Sequence, residues 1–221
     1  LKDDNAVKTF FKKFVKTSNF HINSIIIDHS TISLRQIDLL SRTFKQRKVK
    51  FLDAPITGGE EGAKKGSLSV MVGGTESNFN KSKRIISFYS KSITHMGKLG
   101  SGQLTKFTNQ ILICGILYSL SEAYLFSKKN NLDQKKIFNA IKNGAANSWQ
   151  FTNRYPTLTK NKFNFGFSTE LMTEDLKYVL QQAEKSKLKL NLTKNVYKKY
   201  KSLQNTIYKK YDTSSLVKSF N

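Results

Sequence analysis

The chain has 221 residues, 38% hydrophobic and 24% charged, and a formal net charge of +23. That length holds roughly one and a half domains and a core that needs no covalent staples. The composition excludes a disordered or collagen-like chain, and a single cysteine, Cys114, excludes an internal disulfide framework.

Helical and extended patterns alternate from Leu1 to about Gly97. A helical stretch, Ala6 to Thr17, comes first, with no strand before it. Short β-branched runs at Ile25–Asp28, Val49–Asp53, Leu68–Val72 and Ser92–His95 are bounded by polar or glycine-rich turns, which predicts strands. Between them, Ser33–Lys48 and Ser77–Tyr89 carry apolar residues at helical spacing, with Ser33 and Thr75 as N-caps. From Ser101 onward the pattern is helical throughout. Leu104–Lys128 is one long apolar helix, followed by helices at Asp133–Asn143, Ser168–Ser186 and Leu190–Leu203, with Asp133 and Ser168 as N-caps. Trp149 is expected between helices as a packing aromatic. The apolar stretch from Ile111 to Phe126 contains Glu122 and falls short of the roughly 18 clean apolar residues of a membrane span. A glycine cluster near Gly97–Gly102 marks the boundary between an α/β part, residues 1–99, and an all-helical part, residues 100–221.

The charge points first to a polyanion. Lysine outnumbers arginine 33 to 5, however, and the lysines are spread along the chain. Base recognition leans on the planar fork of arginine. A solvated, compositionally biased surface is therefore the preferred reading, and neither nucleic acid nor membrane is expected as a partner. His21, His29 and His95 show no metal-ligand spacing with one another or with Cys114.

Three segments carry chemistry. Asp53-Ala54-Pro55-Ile56-Thr57-Gly58-Gly59-Glu60-Glu61-Gly62-Ala63 follows a strand, and its glycines let backbone N–H groups approach a ligand. Gly100-Ser101-Gly102-Gln103-Leu104-Thr105-Lys106-Phe107-Thr108-Asn109-Gln110 opens the long helix. There Lys106 and Asn109, at i and i+3, share a face and can clamp a carbonyl or carboxylate. Asp28-His29-Ser30-Thr31 places hydroxyls at a strand's C-terminal end, where open α/β sheets bind ligands. Each segment also reads as ordinary turn or helix-entry chemistry.

Together the segments resemble the β-hydroxyacid dehydrogenase family, whose members include 3-hydroxyisobutyrate dehydrogenase and tartronate semialdehyde reductase. Asp53–Ala63 is similar to the substrate signature D-A-P-[VI]-[ST]-G-G-x-x-G-A, Gly100–Asn109 to the catalytic signature G-x-G-x-x-x-K-x-x-N, and Asp28–Ile32 to the cofactor segment D-x-S-T-I. Gly66–Gly74, Gly144–Trp149, Gly166-Phe167 and Glu174-Asp175-Leu176 also fit, in the right order.

The resemblance implies a Rossmann-type α/β domain, N-terminally incomplete, joined by a long helix to an all-α domain that usually dimerises. It implies that about 70 residues, carrying the G-x-G-x-x-G phosphate loop, lie outside this chain. It implies NAD or NADP as cofactor and a small carboxylate-bearing substrate, a β-hydroxyacid interconverted with its semialdehyde or oxo acid. Lys106 becomes the general acid/base. Thr57, Gly58, Gly59, Asn109 and Gln110 become substrate-binding, and Thr31 and Glu174 cofactor-binding. Gln110 stands where many members have a second Asn, and Glu174 where the family commonly has Lys, reversing a charge beside the cofactor. A homodimer or homotetramer and a cytoplasmic or mitochondrial-matrix location are expected. The competing readings are a non-catalytic relative that keeps the fold as a binding scaffold, and a polyanion-binding protein.

Overall fold

The computed structural model describes residues 1–220. Its ordered elements are α1 (Asp4–Thr17), β1 (Ile25–Asp28), α2 (Leu34–Gln46), β2 (Lys50–Asp53), β3 (Ile56–Thr57), α3 (Gly59–Lys64), β4 (Leu68–Gly73), α4 (Glu76–Ser87), β5 (Ser90–Gly97), α5 (Ser101–Lys129), α6 (Gln134–Ile141), α7 (Trp149–Thr159), α8 (Thr169–Lys185) and α9 (Asn191–Ser202), followed by short 3-10 turns from Leu203 to Ser219. Two units separate at Thr108/Asn109, within α5.

The first unit is a five-stranded sheet with helices packed on both faces. β1 and β2 pair in parallel, in register from Ile25↔Lys50 to Asp28↔Asp53, and β4 and β5 also pair in parallel. The middle is antiparallel: Asp53 pairs with Gly73, and Ile56-Thr57 with Val70-Ser69. Pro55 has no N–H, so the run breaks there into β2 and β3. Its carbonyl still accepts from the Met71 N–H at 3.0 Å.

Alternation along each strand divides the apolar side chains between two cores. Ile26 and Phe51 join α1 and α2 around Val7, Phe11, Leu40 and Phe44. Ile25, Ile27, Leu52 and Val70 join Phe79 and Ile86 of α4. This double burial explains the unbroken Ile25-Ile26-Ile27 run, which a one-sided sheet would have alternated with polar residues. Ser33 and Thr75 cap α2 and α4 by accepting from the N–H of Gln36 and Asn78, which closes donors the helices leave open.

The second unit is helical. Phe151, Tyr155 and Leu158 of α7 meet Leu120 of α5, Phe163 and Val217 in one core. Asp133 and Ser168 cap α6 and α8 as the sequence suggests. Trp149, expected between helices, instead opens α7, capped by Ser148, and is exposed with Arg154 over its ring at 4.9 Å. A serine ahead of an aromatic-rich run is a helix start that the sequence reading passes over.

By length and apolarity α5 meets the criterion for a membrane span, which the count of Ile111–Phe126 alone did not. However, Gln103, Lys106, Gln110 and Ser121 of α5 are buried, and such side chains need protein partners rather than lipid.

Candidate active site

The start of α5 is held by an aspartate from another element. Asp53, at the end of β2, is sealed from solvent. Its Oδ1 accepts from the Gly100 N–H at 2.7 Å and its Oδ2 from the Gln103 N–H at 2.9 Å. These are donors a helix N-terminus cannot satisfy internally. Burial pushes the carboxyl up to about 6; the two backbone bonds work against that rise. The glycines of this segment serve the contact. A Cβ at Gly102 would collide with the Met71 carbonyl and with Asp53, and one at Gly73 with the Asp53 carboxylate.

Gln103, sealed at the same helix start, donates from Nε2 to the Ser30 carbonyl at 2.7 Å and accepts from the Ile32 N–H at 3.2 Å. It therefore grips both neighbours of Thr31. In the same loop the Ser30 N–H donates to Asp28 Oδ1 at 2.9 Å. Asp28 Oδ2 is buried with no hydrogen-bond partner among the described residues, so one strong acceptor at the end of β1 lacks a donor. The motif that opens α5 assigns Gln103 no role. Lys106 and Gln110, three and seven residues on along the same face, are polar too, so no apolar stripe singles Gln103 out.

Lys106, one turn on, is 8% exposed, and its Nζ donates to the Ile56 carbonyl at 2.9 Å. This brings the lysine to the strand that ends in Thr57. Thr57 is half-buried, and Gly58 and Gly59 are exposed. Gly58 has φ +126° and Gly59 φ +63°. Both lie where a side chain is strained, so the turn demands glycine. Lys106 and the Thr57-Gly58-Gly59 turn, far apart in sequence, thus converge within the first unit. Glu60 and Glu61 flank the turn, but Lys64 and Lys65 pair with them at 2.7 and 3.7 Å.

In the second unit, Asn109 and Gln110 continue α5. Asn109 Nδ2 donates to Gln110 Oε1 at 2.9 Å, and Gln110 Nε2 donates to Asp175 Oδ2 of α8. Gln110 is 1% exposed, which places it behind Asn109 rather than at an open surface. Glu174, half-buried, pairs with Lys177 one turn along α8 at 2.9 Å, so its reversed charge is locally balanced. Among the described residues no group of three or more His, Cys, Asp or Glu side chains could hold a metal ion.

The chemistry available is that of a buried ammonium beside an exposed glycine turn, a pairing suited to a small acid bearing a carbonyl or hydroxyl. Comparison with known proteins identifies the family. The family model described as the NAD-binding part of NADP-dependent 3-hydroxyisobutyrate dehydrogenase matches residues 100–220, and that of the NAD binding domain of 6-phosphogluconate dehydrogenase matches residues 1–97. An uncharacterized oxidoreductase of Shewanella frigidimarina is 38% identical over 97% of this chain and 74% of its own length. The 2-hydroxy-3-oxopropionate reductase of Escherichia coli is 34% identical over 88% of this chain and 66% of its own. The chain spans 57% of the length of another curated relative and as little as 52% of a further one. A solved 3-hydroxyisobutyrate dehydrogenase of Mycobacterium tuberculosis, in a structure with L-serine, shares the fold with a TM-score of 0.87 at 24% identity, over 100% of this chain and 77% of that one.

Proposed function

The chain belongs to the β-hydroxyacid dehydrogenase family, and from that premise we propose that it is the larger part of an NAD(P)-dependent oxidoreductase. Its reaction interconverts a small β-hydroxyacid and the corresponding semialdehyde or oxo acid. The observation that carries this reading is Lys106, buried and held at Ile56 next to the Thr57-Gly58-Gly59 turn.

In the reduction, Lys106 Nζ gives a proton to the carbonyl oxygen; in the oxidation it takes the proton from the hydroxyl. The Thr57 hydroxyl and the N–H groups of Gly58 and Gly59 hold the substrate carboxylate. Asn109, on the same helix, orients the substrate. The nicotinamide cofactor, when bound, supplies or accepts the hydride. The residues at the end of β1 fit such a ligand, which is rich in hydroxyl and amide groups. They offer the half-buried Thr31, fixed on both sides by Gln103, and Asp28 Oδ2, which has no donor among the described residues. Glu174 is also proposed to bind the cofactor, its charge offset by Lys177.

Lys106→Ala in the full-length protein tests the proposal. Turnover of 3-hydroxyisobutyrate or tartronate semialdehyde should fall to background while calorimetry still reports cofactor binding. Unchanged turnover would remove Lys106 from the chemistry. The protein is also proposed to work as a homodimer, because α5 leaves the large apolar side chains Leu112 and Phe126 exposed. Sedimentation at twice the 25.2 kDa of this chain, or proportionately for the full-length protein, checks that state.

A further inference from the structure

We infer that Asp175 is a positioning residue that sets, through Gln110, the orientation of the Asn109 amide. The inference rests on the reading of Asn109 as the group that orients substrate.

An amide side chain has a donor end and an acceptor end of nearly the same shape, so packing alone does not decide which way it faces. A carboxylate accepts only. Asp175 on α8 is 4% exposed, and its Oδ2 receives a hydrogen bond from Gln110 Nε2. That bond obliges Gln110 to present its NH2 to α8 and its Oε1 the other way. Oε1 in turn obliges Asn109 to present Nδ2, which donates to it at 2.9 Å. The direction of two successive amides is thus dictated from the buried carboxylate outward. One amide hydrogen of Asn109 is spent on Gln110. Its Oδ1 and its second amide hydrogen lie outside this run of bonds and are the groups left for a ligand.

Asn109 is half-buried whereas Gln110 and Asp175 are buried, so the run leads from the interior to the side chain nearest solvent. Such support from behind is what keeps a binding side chain within the narrow range of orientation that a reaction needs. The arrangement also explains a glutamine after Asn109. From the next position on the helix, Gln110 reaches Asp175 with one end of its amide and Asn109 with the other.

The sharpest perturbation is Asp175→Asn, which keeps shape but offers both a donor and an acceptor, so neither amide direction is imposed. Asp175→Asn with Gln110→Glu restores it. Asn at 175 then donates to Glu at 110, whose second oxygen accepts from Asn109.

The first readout is the side-chain amide resonance of Asn109, selectively labelled with nitrogen-15 in the full chain. It should shift and exchange faster in Asp175→Asn and return in the double variant. A resonance unmoved by Asp175→Asn overturns the inference. The second readout is turnover in the full-length enzyme. Asp175→Asn should lower kcat about tenfold, with little change in cofactor KM, and the double variant should recover most of it. In an Asn109→Ala background, Asp175→Asn should cost nothing further; independent, multiplying losses overturn the inference, because a merely structural aspartate would act through any residue. A wild-type enzyme that turns over no hydroxyacid or semialdehyde overturns the functional reading instead, and the Asn109 resonance then decides the relay by itself.

Discussion

Asp53 in the first unit and Asp212 in the second are both sealed from solvent, and both accept backbone N–H groups. Asp212 also faces a cation. The Arg154 Nε stands 3.1 Å from its Oδ1, and the guanidinium lies over the rings of Trp149 and Phe165 at 4.9 and 4.8 Å. Ser214 adds its hydroxyl at 2.6 Å. Among the described residues Asp53 has no ion-pair partner; it relies on the Gly100 and Gln103 N–H groups at the positive end of α5. The two sites teach different lessons about burying a carboxylate. With a stacked guanidinium, the charge is matched and the aspartate closes the loops after α7 and before α8. With backbone dipoles alone, desolvation is only partly repaid. The carboxyl then rises to about 6, and the site fixes the helix that carries Lys106.

The largest effect that tests this contrast is Asp212→Ala. It leaves Arg154 half-enclosed without its anion and strips the Phe167 and Ser214 donors of their acceptor, so urea unfolding should show a loss of about 3–5 kcal/mol. A loss below about 1 kcal/mol would mean that the stacked arginine is self-sufficient and that the contrast is wrong.

Asp53→Asn comes next. At neutral pH it sets an amide NH2 against backbone donors and should cost about 1–3 kcal/mol. The pH dependence sharpens the point. Because the folded pKa is raised, the native state holds a proton that the unfolded chain has released. The stability gained from this is fully present below about 3.8 and is lost as pH rises through about 6. The wild type should therefore gain stability, by up to about 3 kcal/mol, on going from pH 7.5 towards pH 4. Asp53→Asn should lack that slope; an identical slope in both proteins would assign it to other groups.

Gly102→Ala should be the mildest of the three. The added methyl meets the Met71 carbonyl and Asp53, and moving α5 aside costs about 1–2 kcal/mol. Because Lys106 rides on the same helix, turnover in the full-length enzyme should fall more than stability does. Equal, small losses in both would show that α5 shifts without moving Lys106 from Ile56.

Much of this was legible in the chain itself. Strand β1 and the caps Ser33, Thr75, Asp133 and Ser168 follow from local chemistry, since a β-branched run or a side-chain oxygen at a helix start acts within a few residues. The Gly58-Gly59 turn was legible for the same reason, because positive φ is a property of the residue. Short elements were less so. The two-residue β3 exists only because β4 lies beside it, and α7 hides its start in a segment rich in polar and aromatic residues.

What the amino-acid sequence determined alone was the alternation of strand and helix, the apolarity of α5 and the residue types available for acid–base work. What only the tertiary structure decided was who holds whom: Asp53 at the head of α5, Gln103 on either side of Thr31, Lys106 at Ile56, Asp175 behind Gln110. Those partners are 50, 73, 50 and 65 residues apart. Local propensity cannot reach across such spans. A buried polar group finds its partner only once the chain has folded and water, the competing partner, has been excluded.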